Sequence, residues 1–155
     1  MPVSALTVSK SGSLIASSQV GTKYYKGYAA PVFIWQASTG KRIIILKGLS
    51  VRCNLLSISE DERFLCGCDE DCNLIIWDLL SSEMVGAHKL LNPATCLLWA
   101  DSTKQVHSVD YELAVGAGNL LYKTLFTYDA MRMQWSIVTK PYQMPVSGGT
   151  SNAVL

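Results

Sequence analysis

The segment DCNLIIWD, residues 71–78, is the clearest indication of the fold: an acidic turn leads into an apolar run that ends in Trp77 and Asp78. The same pattern recurs more faintly upstream as PVFIWQ at residues 31–36, and a weaker version runs from Leu120 to Asp129. Short apolar runs bounded by Gly, Ser, Asp and Asn are typical of β-strands. A unit of roughly 40 to 50 residues that repeats such a run indicates a repeat protein built from small sheets.

The first hairpin of this unit occurs twice, at a constant offset of 50 residues. ALTVS at residues 5–9 lies over LLSIS at 55–59, and LIAS at 14–17 lies over FLCG at 64–67. Trp35 and Trp77 are only 42 residues apart, because the first unit carries an insertion at residues 21–30. The alternation within each run predicts four strands in each of these two units.

A third unit begins at residues 94–99 and resumes at 112–116 after an excursion through 102–111. Its third and fourth strands are predicted at 120–128 and 133–138. Leu121, Leu125 and Tyr128 would also fit one face of a helix, but the glycines before this run and its aromatic residues favour a strand. Residues 150–155 are similar to the opening strand of a fourth unit.

Residues 3–12, followed by LIASSQV at 14–20, resemble the start of WD-repeat β-propellers of the cilia- and flagella-associated protein 52 family and, more distantly, of the echinoderm microtubule-associated-protein-like family. Both families carry an Ile-Ala-Ser/Thr-Gly-Gln motif in this strand and a later strand that ends in Trp-Asp. In this chain Ser18 stands in place of the glycine and Gln36 in place of the aspartate after Trp35. The resemblance covers residues 3–78.

This resemblance implies an all-β WD-repeat propeller with about three four-stranded blades. The blades are expected at about residues 3–46, 51–87 and 94–139, with the start of a fourth at about 150–155. Closing a propeller takes about four to eight blades. We therefore expect the chain to be part of a larger propeller.

In well-formed WD blades, a histidine before the first strand, a hydroxyl in the second, an aspartate before the third and the tryptophan form a buried hydrogen-bonded set. The resemblance therefore assigns structural roles to Trp35, Trp77, Asp71 and Asp78. The second unit has Leu49 where the histidine is expected and Cys66, Gly67 and Cys68 where the hydroxyl is expected. We expect Asp71 to be buried against backbone N–H groups of its turn, and His88 is the candidate for the histidine role ahead of the third unit.

The insertion GTKYYKGY, residues 21–28, is the stretch with the most functional character. Tyrosine supplies rigid contact area and lysine supplies charge, so the loop suits an acidic, partly apolar protein surface such as tubulin. The alternative is a loop whose tyrosines pack on the rim of the propeller. The candidate partner-binding residues are Lys23, Tyr24, Tyr25, Lys26 and Tyr28.

Composition limits the classes of partner. The formal net charge is +1, with 13 basic and 12 acidic residues, so neither nucleic acid nor a strongly anionic partner is indicated. No apolar run reaches the 18 residues that a membrane span needs, and the amino terminus has no signal-like core. An odd number of cysteines, five, in a chain with no secretory signal predicts free and mostly buried thiols in an intracellular protein.

Three patterns that could carry chemistry are better explained without it. Cys66, Cys68 and Cys72 lack the spacing of a zinc knuckle, and the first two fall on one face of a predicted strand. The glycines at 116 and 118 lack the third glycine of a dinucleotide loop. The two histidines, His88 and His107, lie in predicted connections without a nucleophile or paired carboxylates.

The sequence therefore predicts a non-catalytic scaffold that binds no cofactor, metal, small-molecule substrate, nucleic acid or membrane. The resemblance implies a structural component of ciliary or flagellar axonemes, located on the cytoskeleton, that binds tubulin or neighbouring axonemal proteins. The alternative is a generic WD-repeat adaptor in another intracellular complex. A third reading, a small α/β enzyme, would require residues 120–125 to be helical.

Overall fold

The structure is a computed structural model that describes residues 2–21, 30–100, 103–104, 108–129 and 131–143. Within these residues every regular element is a β-strand, and all strand pairs are antiparallel. The strands form three separate sheets in chain order. No helix long and apolar enough to cross a membrane occurs in the described part of the chain.

Sheets 1 and 2 are four-stranded meanders with the same construction. Sheet 1 contains β1 (Val3–Val8), β2 (Leu14–Gln19), β3 (Val32–Gln36) and β4 (Lys41–Leu46). Sheet 2 contains β5 (Cys53–Ile58), β6 (Phe64–Asp69), β7 (Asn73–Asp78) and β8 (Glu83–Lys89). Strands β1 and β2 recur as β5 and β6 at the offset of 50, and both sheets have a register shift directly before the tryptophan of the third strand.

Sheet 3 departs from this construction. It contains β9 (Ala94–Trp99), β10 (Thr103–Lys104), β11 (Ser108–Ala117), β12 (Leu120–Asp129) and β13 (Gln134–Gln143). Strands β9 and β10 pair with successive parts of the same edge of β11, so together they fill the position of one broken strand. Residues 108–111, expected to be part of an excursion, belong to β11, and the helical reading of 120–128 is wrong because β12 pairs along its whole length with β11 and β13.

Sheet 2 lies between the other two sheets, and both of its faces are buried. Its side towards sheet 1 contributes Leu65, Ile75 and Trp77 to one apolar core. Its side towards sheet 3 contributes Phe64 and Cys66 to a second core. This sandwiched position explains why β6 is buried along its whole length.

Turns and loops alternate between two ends of the stack. The β1–β2, β3–β4, β5–β6 and β7–β8 turns lie at one end, which we call the turn end. The opposite end, the loop end, carries the β2–β3 connection, the linker at residues 47–52 and the β6–β7 turn. Residues 22–29, which contain the five predicted partner-binding residues, and residues 150–155 of the predicted fourth blade lie outside the described residues.

Candidate interaction surface

The face of sheet 1 that points away from sheet 2 is apolar, and it is exposed along the two outer strands, β1 and β4. Cross-strand pairing places Leu6, Ser17, Phe33 and Ile45 in one row of this face, because paired residues of antiparallel strands share a side. The exposed fractions of Leu6, Val8 and Ile45 are 61%, 52% and 47%. We call this surface the outer face of sheet 1; it consists of Leu6, Val8, Ile15, Phe33, Trp35 and Ile45.

The internal repeat shows that the equivalent face of sheet 2 is covered by a neighbouring sheet. The equivalent face of sheet 2 has Leu56, Leu65, Ile75 and Trp77 at the matching positions, and all four are buried against sheet 1. Sheet 1 thus presents, at the same positions, the kind of surface that sheet 2 buries. Full burial of a side chain such as leucine contributes about 1.5–3 kcal/mol, so covering three half-exposed ones would contribute several kcal/mol.

Contacts among residues of sheet 1 fix the side chains of its outer face. The indole Nε1 of Trp35 donates a hydrogen bond to Ser17 Oγ at 2.8 Å, which fixes the ring on the sheet. The ring centroids of Phe33 and Trp35 are 6.0 Å apart, and the Arg42 guanidinium lies 5.1 Å from the centroid of the Phe33 ring. A cation in this position is attracted by the face of the ring. The surface is therefore largely pre-formed.

Trp77 has the same place in sheet 2 but a different partner. The residue equivalent to Ser17 is Gly67, and a Cβ there would lie 3.0 Å from the Trp77 ring and 3.2 Å from Leu49. With no hydroxyl at this position, Trp77 Nε1 donates instead to the Lys47 carbonyl oxygen at 2.9 Å. Leu49, in place of the expected histidine, is buried in the same core. Apolar packing thus replaces the polar set that the resemblance implied.

The buried carboxylate of the β6–β7 turn belongs to Asp69. Its Oδ1 accepts a hydrogen bond from the Asn73 backbone N–H at 2.8 Å, and its Oδ2 accepts from the Ser50 backbone N–H and from Asn73 Nδ2, both at 2.8 Å. Burial alone would raise the pKa of Asp69, but the hydrogen bonds from Asn73 and Ser50 lower it below its usual value. Asp69 therefore ties the linker between sheets 1 and 2 to the start of β7.

The structure corrects two predictions for this set. Asp71 is exposed, not buried, because it lies at the tip of the turn, two residues beyond the end of β6. Its backbone carbonyl oxygen accepts a hydrogen bond from Lys89 Nζ. His88 lies within β8, not before a strand, and its ring stands edge-on to Tyr122 at 5.9 Å. His88 therefore does not lie in the connection ahead of the third unit where the prediction placed it.

Asp78 follows Trp77 and is buried at the turn end. Its Oδ2 accepts from Arg63 Nη2 at 2.7 Å, and its Oδ1 accepts from the Leu80 backbone N–H at 2.8 Å. The Asp78 side chain is 5% exposed and that of Arg63 is 36% exposed. A carboxylate at this depth is stable only because it is paired.

Side-chain hydrogen bonds link neighbouring sheets at the turn end. The hydroxyls of Ser11 and Ser13 donate to Glu62, which lowers its pKa, the Ser11 bond having the largest effect. Tyr111 of sheet 3 donates its hydroxyl to Asp61 Oδ2 at 2.6 Å, and burial together with this carboxylate raises the pKa of Tyr111. These contacts join sheet 1 to sheet 2 and sheet 2 to sheet 3 at this end.

The cysteines occupy structural positions. Cys53, Cys66 and Cys68 are buried, Cys72 is half-buried and Cys96 is exposed, and all five are free thiols. Burial raises the pKa of Cys53 to about 12, so this thiol is neutral and unreactive at physiological pH. In the described ranges, no group of three or more His, Cys, Asp or Glu residues is arranged to hold a metal ion.

Gly116 lies inside β11 and not in a turn. A Cβ at this position would lie 2.5 Å from Cys96 Sγ, so the glycine permits close approach of β9. Gly118 is the turn residue, with φ of +62°, a left-handed conformation that glycine adopts readily.

The described residues on either side of residues 22–29 are hydrogen-bonded to the linker between sheets 1 and 2. The Gly21 backbone N–H donates to the Val51 carbonyl oxygen at 2.7 Å, and the Ala30 N–H donates to the Ser50 carbonyl oxygen. Gly21 and Ala30 thus both lie at the loop end, beside the Asp69 set.

Comparison with known proteins identifies the architecture. No protein-family model matches the chain. The WD40 domain of SCAP from fission yeast superposes with a TM-score of 0.67 at 13% identity, covering 92% of the chain and 32% of that protein chain. The β-propeller domain of Cps50 (Swd1) from Myceliophteria thermophila gives a TM-score of 0.64 at 20% identity, covering 92% and 39%. The prediction of an all-β WD-repeat propeller, present in part, is confirmed.

A curated relative gives a further similarity. Over 131 residues, or 83% of the chain, the sequence is 30% identical to "Cilia- and flagella-associated protein 52" of Chlamydomonas reinhardtii. The match covers 20% of that protein, so the chain spans about one fifth of the length of this relative.

Proposed function

We propose that this WD40 propeller segment is a non-catalytic interaction scaffold of cilia or flagella, which docks on axonemal microtubules or on their neighbouring proteins. The observation that carries the scaffold role is the apolar outer face of sheet 1, with Leu6, Val8 and Ile45 about half-exposed. Contiguous apolar surface of this kind marks a site of protein contact. The described residues make apolar contacts and hydrogen bonds that join the sheets to one another.

The ciliary location is supported by the 30% identity to the algal relative and by the resemblance of residues 3–78 to that family. Because the chain spans only about one fifth of that relative, the role of the complete propeller is part of the proposal. Residues 22–29 supply the candidate contact to tubulin, in which Lys23 and Lys26 would pair with acidic residues and Tyr24, Tyr25 and Tyr28 would supply contact area.

Co-sedimentation of the chain with polymerised microtubules tests the tubulin contact. We expect enrichment in the pellet at low salt and a several-fold loss in the Lys23→Gln/Lys26→Gln variant, because exposed charge pairs weaken with ionic strength. Lys41→Gln, which removes an exposed lysine of β4, is the matched control. Absence of enrichment at low salt, or an equal loss in the control, would contradict direct binding.

The alternative, a WD-repeat adaptor of another complex, predicts a different location in the cell. A fluorescently tagged chain expressed in ciliated cells is expected to concentrate along the axoneme. A diffuse cytoplasmic signal, together with a set of co-purified proteins that lacks cytoskeletal components, would favour the adaptor.

A further inference from the structure

The face of sheet 3 that points away from sheet 2 differs from the corresponding faces of the other sheets. A shallow depression of about 270 Å³ on it is lined by two lysines and three half-exposed apolar or aromatic residues. We call this surface the lysine face; it consists of Lys123, Leu125, Val138, Lys140 and Tyr142.

The repeat shows how unusual the lysines are. In sheet 3, Lys123 of β12 pairs with Ala114 on one side and with Lys140 on the other. The strands of sheet 2 equivalent to β12 and β13 are β7 and β8, where Ile76 pairs with Gly86, and Ile76 is buried against sheet 3. Lys123 thus stands at a position that sheet 2 uses for apolar packing, and Lys140 lies beside it where β8 has a glycine.

The charges on this face are only partly balanced. Lys123 Nζ forms an ion pair with Glu112 Oε1 at 2.9 Å, and this carboxylate raises the pKa of the lysine. Among the described residues, no carboxylate forms an ion pair with Lys140. Asp110 lies on the same side of β11 but four residues from Ala114, roughly 13 Å along the strand. The centre of the lysine face therefore has an excess of one positive charge.

This charge disfavours two obvious occupants. A further blade with an ordinary apolar face would bury Lys140 without a counter-charge, and an unpaired buried charge is strongly unfavourable. A second copy of the chain, docked through the outer face of sheet 1, would present apolar residues and the cation of Arg42. Neither surface supplies a carboxylate.

We propose that the lysine face of sheet 3 binds an acidic polypeptide segment that carries apolar side chains. Directly paired residues of antiparallel strands have Cβ atoms about 4.5–5.5 Å apart, so carboxylates of one segment can reach both Lys123 and Lys140. Its apolar side chains would pack on Leu125, Val138 and Tyr142. This proposal goes beyond the ciliary function and does not rest on it.

Fluorescence anisotropy with two synthetic peptides tests the proposal on the full chain. One labelled twelve-residue peptide has four glutamates interspersed with leucine and valine in a serine background, and the other has glutamine in place of each glutamate. We expect the glutamate peptide to bind about tenfold more tightly at 50 mM salt, and the difference to shrink at 300 mM salt.

Variants locate the binding. Lys123→Gln/Lys140→Gln is expected to weaken the glutamate peptide about tenfold, Lys123→Arg/Lys140→Arg to retain binding, and Lys41→Gln to leave it unchanged. Thermal unfolding of each variant checks that the fold is intact. Equal binding of the two peptides, no saturable binding of the glutamate peptide at millimolar concentration, or an equal loss in Lys41→Gln would overturn the proposal.

Discussion

Replacement of Asp69 by alanine is expected to destabilise the chain more than any other single change in the β6–β7 turn. The carboxylate accepts three hydrogen bonds of 2.8 Å, from Ser50 and Asn73. Hydrogen bonds to a charged group contribute about 1.5–3 kcal/mol each, and their removal also leaves two backbone N–H groups without an acceptor. Because such contributions are not additive, we expect a loss of about 3–5 kcal/mol in the free energy of unfolding.

Asp71→Ala is the matched control, since it removes an exposed carboxylate two residues away in the same turn. We expect its effect to stay within about 0.5 kcal/mol. Urea unfolding at pH 7, followed by tryptophan fluorescence, measures both variants. If Asp69→Ala unfolds before urea is added, Asp69→Asn serves as the milder variant, because its amide keeps one acceptor oxygen. Equal effects of the two alanine variants, or a larger effect of Asp71→Ala, would refute the assignment.

The same carboxylate predicts a dependence of stability on pH. Folding lowers the pKa of Asp69, so its contribution is fully present above the unfolded pKa of about 3.9 and is lost as the pH falls through the lower folded value. The difference in stability between the parent chain and Asp69→Asn should therefore be constant from pH 7 to pH 5 and decrease below pH 4. A difference that is independent of pH down to pH 2 would contradict this account.

Three further substitutions test the packing by urea unfolding. Gly67→Ala is expected to cost about 1–3 kcal/mol, because its methyl group would lie 3.0 Å from the Trp77 ring, and an unchanged midpoint would contradict that contact. Arg63→Met should cost about 3 kcal/mol at pH 7 by leaving Asp78 unpaired, and most of this loss should disappear in the background of Asp78→Asn. Phe64→Leu should cost about 1–2 kcal/mol. The Phe64 ring packs edge-on against the rings of Tyr111 and Trp135, with centroid distances of 4.7 Å and 4.8 Å. No loss of stability would mean that these aromatic contacts are not part of the core.

The repeated hairpins could be predicted from the sequence because their determinants are local. Alternation of apolar residues and the turn residues between them specify β1, β2, β5 and β6, and the offset of 50 follows from these alone. The extension of β11 to residue 108 could not be predicted in the same way. It depends on pairing with residues 127–129 across the sheet and on aromatic contacts of Tyr111 with sheet 2.

The buried polar set shows a second limit. The turn sequence places Asp69, Glu70 and Asp71 in succession, and only the point at which β6 ends decides which carboxylate is buried. The link from Tyr111 to Asp61 joins residues 50 positions apart and leaves no local signature. The outer face of sheet 1, by contrast, could have been found from the repeat, because Leu6, Val8 and Ile45 continue the apolar alternation of their strands.

The most direct test of the scaffold role is side-chain oxidative footprinting of Leu6, Val8 and Ile45, in the isolated chain and in the assembly purified from its native source. If the outer face of sheet 1 is a docking surface, labelling of these three residues should fall several-fold in the assembly. Leu91, which is 76% exposed at the loop end and lies outside this face, provides an internal reference in the same samples. Labelling of Leu6, Val8 and Ile45 that is equal in the two preparations would contradict the account.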